Sequence, residues 1–209
     1  EYSYTDSTTG ETLELLFEGV NIPDIKPTAG HKSSFSLDNM VLMPRFLVEY
    51  DPPSDTSIEE IKKIKDQTLQ LIKDLPTFRV VDSGNKSIHI MFCFDYESHP
   101  ENIEEYKFAV QCAVQELNLP DKIGVAELDK KVLVDPSRIC RRPNVLRDNG
   151  KMQTLISMDK KQIHSNWKEK YKQHCEKEQQ KKNRQEILNK PIFNFSNVKT
   201  TTSGSVEEF

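Results

Sequence analysis

Two acidic residues separated by a single tyrosine are the first candidates for chemistry. Glu49 and Asp51 end an apolar stretch just before two prolines, and a third acid, Asp135, ends another apolar stretch and also precedes a proline. Carboxylate oxygens suit Mg²⁺ and Mn²⁺, and two such ions about 3.5–4 Å apart can activate a hydroxyl and neutralise a pyrophosphate. The three acids predict a two-metal site if the fold brings them together.

A glycine-containing turn precedes the second group of candidates, Ser87 and His89. Gly84 permits a tight turn, and Lys86 and the backbone N–H groups of this turn suit a phosphate. Ser87 and His89 are two residues apart and share one face of a strand. A half-buried histidine with a purely structural hydrogen bond gives the same pattern, but beside carboxylates we favour a role for both residues in binding a triphosphate.

Basic residues follow Asp135 closely: Arg138, Arg141, Arg142, Arg147 and Lys151. A guanidinium binds phosphate through paired hydrogen bonds, which a lysine cannot form. We therefore interpret this stretch, which we call the arginine loop, as a candidate for holding the β- and γ-phosphates of a nucleotide. A generic basic surface loop is the alternative.

The elements that must position these residues can be predicted from hydrophobic periodicity. Apolar runs predict strands at residues 46–51, 78–82, 88–94 and 132–135, with a fifth at 152–156. One helix is capped by Thr56 or Ser57 and continues to Leu75, and a second starts near Asn102. The order β-α-β-β-α-β predicts an α+β fold of the ferredoxin-like kind, with both helices on one face, the first and third strands central and the fourth beside the first.

Alternation along the strands assigns the candidates to the other face of this sheet. The large apolar side chains at 46, 48 and 50, at 88, 90, 92 and 94, and at 132 and 134 point to one face, which the helices would cover. Glu49, Asp51, His89 and Asp135 would then converge on the open face. Gathering carboxylates there is costly unless a cation lies among them.

Composition narrows the class of protein. A net charge of −4 excludes coating of nucleic acid through bulk positive charge, so any such contact must use the arginine loop or a second basic stretch, residues 160–190. No apolar run reaches the roughly 20 residues of a membrane helix. The four cysteines contain no CxxC pair, which favours a reducing intracellular compartment, and Cys140, His174 and Cys175 lack the usual spacing of a zinc site.

The chain divides by composition into four segments. Residues 1–40 are expected to form an N-terminal arm with short structure near Leu13, residues 41–158 a catalytic core, residues 159–193 a basic C-terminal helix and residues 194–209 a disordered tail. The helix itself is predicted at 159–190. Because the sequence begins with Glu, we expect it to be a piece of a longer protein.

Three motifs resemble those of the archaeo-eukaryotic primase (AEP) superfamily, most closely the primase-polymerases of phages and mobile elements. They are Glu49-Tyr50-Asp51, Ser87-Ile88-His89 and Val134-Asp135, followed by the arginine loop with Gly150 and Gln153. The resemblance covers residues 40–157. It departs in one respect, since the first motif is Glu-x-Asp where many members have Asp-x-Asp.

The resemblance implies an RRM-like catalytic core and a DNA primase-polymerase activity. In that case Glu49, Asp51 and Asp135 bind two Mg²⁺ or Mn²⁺ ions. Lys86, Ser87, His89, Arg142 and Arg147 then contact the nucleotide. The implied partners are a single-stranded DNA template, a primer, an NTP or dNTP, and a helicase domain or protein outside this sequence. The implied setting is intracellular: the cytoplasm of a bacterial host, with the protein encoded by the host, a phage or a mobile element, or alternatively a nucleus.

Other functions also use this sheet plan. An RNA-recognition module would stack bases on aromatic side chains, whereas the open face here carries acids. A rolling-circle endonuclease would need a second histidine where Met91 stands. A catalytically inactive, nucleic-acid-binding primase fold remains as the alternative, and a primer-extension assay distinguishes it.

Overall fold

The structure, a computed structural model of the 209-residue chain, describes residues 3–5, 12–14, 17–19, 22–23, 40–141, 143–144 and 150–188. Its elements in chain order are β1 (Ser3–Thr5), β2 (Thr12–Glu14), β3 (Phe17–Gly19), β4 (Ile22–Pro23), β5 (Met40–Leu42), β6 (Arg45–Asp51), α1 (Ile58–Ile72), β7 (Arg79–Asp82), β8 (Ile88–Cys93), α2 (Ile103–Glu116), β9 (Lys122–Ile123), β10 (Ala126–Leu128), α3 (Lys130–Leu133), β11 (Ile139–Arg141), β12 (Thr154–Ser157) and α4 (Trp167–Leu188).

A six-stranded antiparallel sheet in the order β12-β7-β8-β6-β10-β9 forms the centre of the fold. Strands β6 and β8 lie side by side at its middle, with Glu49 directly opposite His89. Strand β7 follows β8, and β10 flanks β6 on the other side. The ferredoxin-like α+β plan is therefore confirmed, extended by β12 at one edge and β9 at the other.

Helices α1 and α2 cover one face of the sheet, where the main core lies. Ser57 caps α1 by accepting a hydrogen bond from the Glu60 backbone N–H, and Asn102 caps α2 in the same way. The alternating apolar residues predicted for this face are buried against Ile64 and Tyr106, among others. Phe46 and Phe92 stack there with their ring centres 5.3 Å apart. Burial of these side chains fixes the strand register, because a slip of one residue would turn them to the other face.

The predicted strand at residues 132–135 is wrong. Residues Lys130–Leu133 form α3, and Asp129 caps this helix by accepting hydrogen bonds from the backbone N–H groups of Lys131 and Val132. Periodicity cannot separate strand from helix in so short an apolar run, whereas the aspartate cap favours a helix. The fourth strand of the plan is instead β10, only three residues long.

The second face of the sheet, which we call the acidic face because it carries Glu49 and His89, is not fully open. Leu47 and Met91 lie on it and are buried together with Val132 and Cys140. Val132 was expected on the helix-covered face, and this expectation is also wrong. A small second core therefore encloses one end of the acidic face.

The C-terminal helix begins later than predicted, at Trp167 instead of residue 159. Residues before it run beside the sheet: the backbone N–H of Lys160 donates to Phe78 and that of Ile163 to Cys93. Ile163 and Trp167 are buried, and Tyr171 packs against the same core, so the spacing that placed these three on one side is confirmed.

The chain divides into two compact units, Glu1–Tyr171 and Lys172–Phe209. In the first, β1 pairs with β2, β3 with β11 and β4 with β5. In the second, the described residues 172–188 continue α4. The expected helix end at 189–190 and the tail at 194–209 lie outside the described residues. None of the helices within the described ranges is long and apolar enough to span a membrane.

Candidate active site

Glu49 is the centre of the candidate site. It lies on the central strand β6, and its Oε1 accepts a hydrogen bond from the Ser87 hydroxyl and lies 3.3 Å from Nε2 of His89. The side chains of Glu49 and His89 are only 14% and 20% exposed. The structure therefore brings the first sequence motif, at Glu49, into contact with the second motif, at Ser87 and His89, across two neighbouring strands.

The environment of Glu49 favours its ionised form. Burial, the largest influence, would raise the pKa of its carboxyl group. The hydrogen bond and charge of His89, the Ser87 hydrogen bond and the charge of Arg138 outweigh burial and hold that pKa below its usual range. Among the described residues, both hydrogen bonds reach one oxygen, Oε1. Oε2 is left for another ligand.

Asp51 shows the opposite behaviour at the end of the same strand. Burial and the negative charge of Glu49, with that of Asp129 as a further contribution, raise the pKa of Asp51, while Lys86 opposes the shift. A cavity of about 330 Å³ lies beside it, lined by Asp51, Pro52, Pro53, Ser54, Lys86, Val125 and Glu127. Lys86 also donates to the backbone carbonyl of Pro53. Negative charge thus accumulates between Glu49 and Asp51, which is the situation that a bound cation relieves.

The turn before Ser87 does not offer its amides to a phosphate as expected. The N–H of Gly84 donates to the Asp82 carboxylate, and the N–H groups of Asn85 and Ser87 both donate to the Ser83 hydroxyl. These hydrogen bonds stabilise the turn itself. Its contribution to the site is to hold Lys86 and Ser87 in place.

Asp135 does not lie on a strand of the sheet. It follows α3, and its carboxylate accepts hydrogen bonds from the backbone N–H and the hydroxyl of Ser137, at 3.0 Å and 2.6 Å. No three His, Cys, Asp or Glu side chains in the described ranges are arranged to hold a metal ion. Arg142 and Arg147 lie outside the described residues. The three-carboxylate cluster drawn from a strand at 132–135 is therefore not formed as expected.

Three neighbours of the site were missed or under-used by sequence reasoning. Asp129 lies one residue beyond β10, and its backbone N–H donates to the Glu49 carbonyl. Arg138 directs positive charge toward Glu49. Gln153 lies beside His89 and is buried. The helix-capping pattern Asp-Lys-Lys-Val could have identified Asp129, but no spacing in the sequence links Gln153 to His89.

Comparison with solved structures finds similarity at low identity. The AEP domain of the cyanophage S-2L primase-polymerase has a TM-score of 0.41 and 12% identity, covering 61% of this chain and 59% of that domain. The polymerase domain of Mycobacterium tuberculosis ligase D, solved in complex with DNA, has a TM-score of 0.40 and 14% identity, covering 73% of this chain and 56% of its own length. The similarity is one of fold. The chain spans less than two thirds of either structure. No family model and no curated protein matches the sequence.

Proposed function

We propose that this chain is the catalytic domain of a DNA primase-polymerase, which transfers nucleotides in a metal-dependent, template-directed reaction. One observation carries the proposal: Glu49 is bonded to both Ser87 and His89, beside Asp51, on the acidic face of an antiparallel sheet. Two of the three motifs that resemble AEP enzymes thus form one site. A purely structural pair would not need a second carboxylate beside it, that of Asp51, whose pKa is raised by the charge of Glu49.

The donor set fits a divalent cation in part. Glu49 has an oxygen without a partner among the described residues, and Asp51 has a raised pKa, so these two would hold the ion. Asp135 is the proposed third ligand; both hydrogen bonds from Ser137 reach its Oδ1, so Oδ2 would bind the ion. When bound, divalent ions supply the charge that activates a primer hydroxyl and neutralises pyrophosphate.

The other side chains have proposed roles in binding the nucleotide. Lys86 carries a positive charge beside Asp51 and is suited to a phosphate oxygen. The Nε2 side of His89, now facing Glu49, can donate to a phosphate once Glu49 turns to a metal ion. Arg142 and Arg147 are proposed to hold the outer phosphates. The proposed partners are single-stranded DNA, a primer, an NTP or dNTP and a helicase outside this sequence.

Nucleotide incorporation onto a primer annealed to a DNA template tests this function. We expect incorporation with Mg²⁺ or Mn²⁺ and none with EDTA. The Asp135 carboxylate is hydrogen-bonded to Ser137, which favours a second candidate, an inactive RRM-like module that binds nucleic acid. A folded chain that binds single-stranded DNA but incorporates no nucleotide with either metal would establish that candidate instead.

A further inference from the structure

A buried glutamine, Gln153, contacts the edge of the His89 ring that points away from Glu49. Nε2 of Gln153 lies 3.3 Å from Nδ1 of His89, while the other ring nitrogen, Nε2, lies 3.3 Å from Glu49. Gln153 is 2% exposed. A buried amide needs hydrogen-bond partners, so this contact is more than incidental packing. The three side chains form a row, glutamine to histidine to carboxylate, across the acidic face.

Three features hold the backbone of Gln153 in this position. Strand β12 begins at the next residue and pairs with β7, with Thr154 opposite Asp82. The turn at Gly84 approaches so closely that a Cβ there would lie 2.2 Å from the Met152 carbonyl oxygen. The Asn144 N–H donates to the Gln153 carbonyl at 2.6 Å. Gln153 is therefore fixed against the same turn that leads into Ser87 and His89.

The contacts on both sides of the ring determine where its hydrogen lies. The Glu49 oxygen that faces His89 accepts a hydrogen bond from Ser87, so it is an acceptor for the ring as well. Nε2 of His89 must then carry a hydrogen. A neutral imidazole has one donor and one acceptor nitrogen, which leaves Nδ1 as the acceptor. The amide N–H of Gln153 is the donor in reach of it.

We propose that Gln153 is a positioning residue that holds His89 in the tautomer with hydrogen on Nε2 and with this N–H directed into the site. The inference deepens the proposed function and rests on it in one respect: the oriented N–H serves to bind the nucleotide's phosphates. Residues behind a site that fix a histidine's tautomer and ring orientation commonly matter about 10–100-fold when removed.

The ring nitrogens of His89 can be observed directly by ¹⁵N NMR, with the signals assigned through His89→Gln. In the wild-type chain at pH 8 we expect hydrogen on Nε2 and an unprotonated Nδ1 that accepts a hydrogen bond. Gln153→Met, which has no donor, should alter the Nδ1 signal. Gln153→Glu, which has no N–H to donate when ionised, should alter the Nδ1 signal as well. Hydrogen on Nδ1 in the wild type, or an Nδ1 signal unchanged in Gln153→Met, overturns the proposal.

Steady-state kinetics test the link to the nucleotide. We expect Gln153→Met to raise the KM for the incoming nucleotide about tenfold with kcat little changed. The neighbouring exposed residue provides the control, and Thr154→Val should match the wild type in both constants. Thermal melts of all variants exclude a folding defect as the cause, and Gln153→Glu gives a second test if Gln153→Met is unstable. An unchanged KM would refute the positioning role. If the wild-type chain incorporated no nucleotide, the proposed function would be wrong, whereas the NMR result on the His89 tautomer would still hold.

Discussion

At the scale of single residues, Glu49 and Asp51 lie two positions apart on one strand but have opposite electrostatics. Glu49 receives two hydrogen bonds and nearby positive charge, which lower its pKa. The pKa of Asp51 is raised by burial and then by the charge of Glu49. The ionised form of Glu49 is therefore well stabilised by its surroundings, whereas the ionised form of Asp51 is poorly stabilised. Poor compensation at a functional site is a cost to stability that binding of a ligand can offset.

Neutralising Asp51 should make the chain more stable. A carboxyl whose pKa is raised by folding destabilises the folded state while it is ionised, and this penalty disappears as the pH falls and the group is protonated. We expect Asp51→Asn to raise the melting temperature at pH 7, with the difference from wild type vanishing near pH 3. Differential scanning calorimetry across this range measures both. A lower melting temperature at pH 7 would mean that Asp51 is adequately compensated within the fold.

The opposite dependence is expected for Glu49. Its pKa is lowered by folding, so its ionised form contributes stability that is present above its unfolded pKa, about 4.3, and lost as the pH falls through the lower folded value. Glu49→Gln should therefore be less stable than wild type at pH 7, by on the order of 1–2 kcal/mol. Urea unfolding at pH 7 and at pH 3 tests this. If Glu49→Gln were less stable than wild type by the same amount at both pH values, the contribution of Glu49 would come from its shape and not from its charge.

Sequence reasoning succeeded unevenly at this scale. Glu49, Ser87 and His89 could be placed together because strand alternation and an antiparallel pairing of β6 with β8 determine which side chains meet. Gln153 could not be placed, since it is 64 residues from His89 and reaches it through the pairing of an edge strand. Asp135 was misplaced because its position depended on a strand that the chain does not form.

At the scale of elements, the turn between β7 and β8 connects stability to the site. Gly84 has a φ of +69°, and any side chain there would overlap the Met152 backbone. Asp82 supports the turn by accepting from the Gly84 N–H at 2.8 Å and pairing with Lys65 of α1 at 2.7 Å. Strand β8 leaves this turn with Ser87 and His89 already directed at Glu49.

Substitutions at Gly84 and Gly150 distinguish the cost of a left-handed backbone conformation from the cost of steric overlap with a neighbouring segment. Gly84 and Gly150 both have positive φ, at +69° and +75°, but nothing lies within 4 Å of a Cβ at Gly150. Gly150→Ala should cost about 1–2 kcal/mol, the price of a left-handed conformation. Gly84→Ala should cost clearly more and also reduce nucleotide incorporation. Chemical denaturation and primer extension on both variants measure this. Equal costs would show that the Met152 segment moves aside freely.

Long elements could be predicted and short ones could not. Strands β6 and β8 and helices α1 and α2 have enough residues for their period to be read, and their caps mark the starts. Strand β10 has three residues and α3 has four, which is too few for any period. The predicted fourth strand is the helix α3, and β10 occupies its place in the sheet. The third motif therefore does not lie on the sheet, and Asp135 does not have the expected position.

At the scale of the whole molecule, the boundary between the two units lies within α4. Trp167 is 1% exposed, and its indole N–H donates to the Ser98 carbonyl at 2.7 Å. Lys170 pairs with Glu116 of α2 at 2.6 Å. From residue 172 to residue 186 the helix is almost entirely exposed, and residues 172–188 contain five lysines and arginines and three glutamates. The first turn of α4 is thus part of the core, and the rest is a basic helix.

Two truncations should separate these roles. A chain ending at residue 157 loses Ile163 and Trp167, and removing a single buried tryptophan side chain typically costs about 3–5 kcal/mol, so it should unfold or nearly so. A chain ending at residue 171 should fold. If the basic helix contacts template DNA, this second chain should bind single-stranded DNA more weakly, with a smaller salt dependence. Fluorescence anisotropy over a salt series measures it, and unchanged affinity would leave the helix as a linker.

The most direct test of metal-dependent nucleotidyl transfer at Glu49 and Asp51 is single-nucleotide incorporation by matched variants. Asp51→Asn should lower the rate with Mg²⁺ or Mn²⁺ by more than about 100-fold, because even partners behind a metal site matter 10–100-fold. Asp121→Asn is the control, since this exposed acid pairs with Lys130 on the surface and does not line the cavity beside Asp51. It should retain wild-type incorporation. Wild-type rates in Asp51→Asn, or equal losses in both variants, would contradict the assignment of the site.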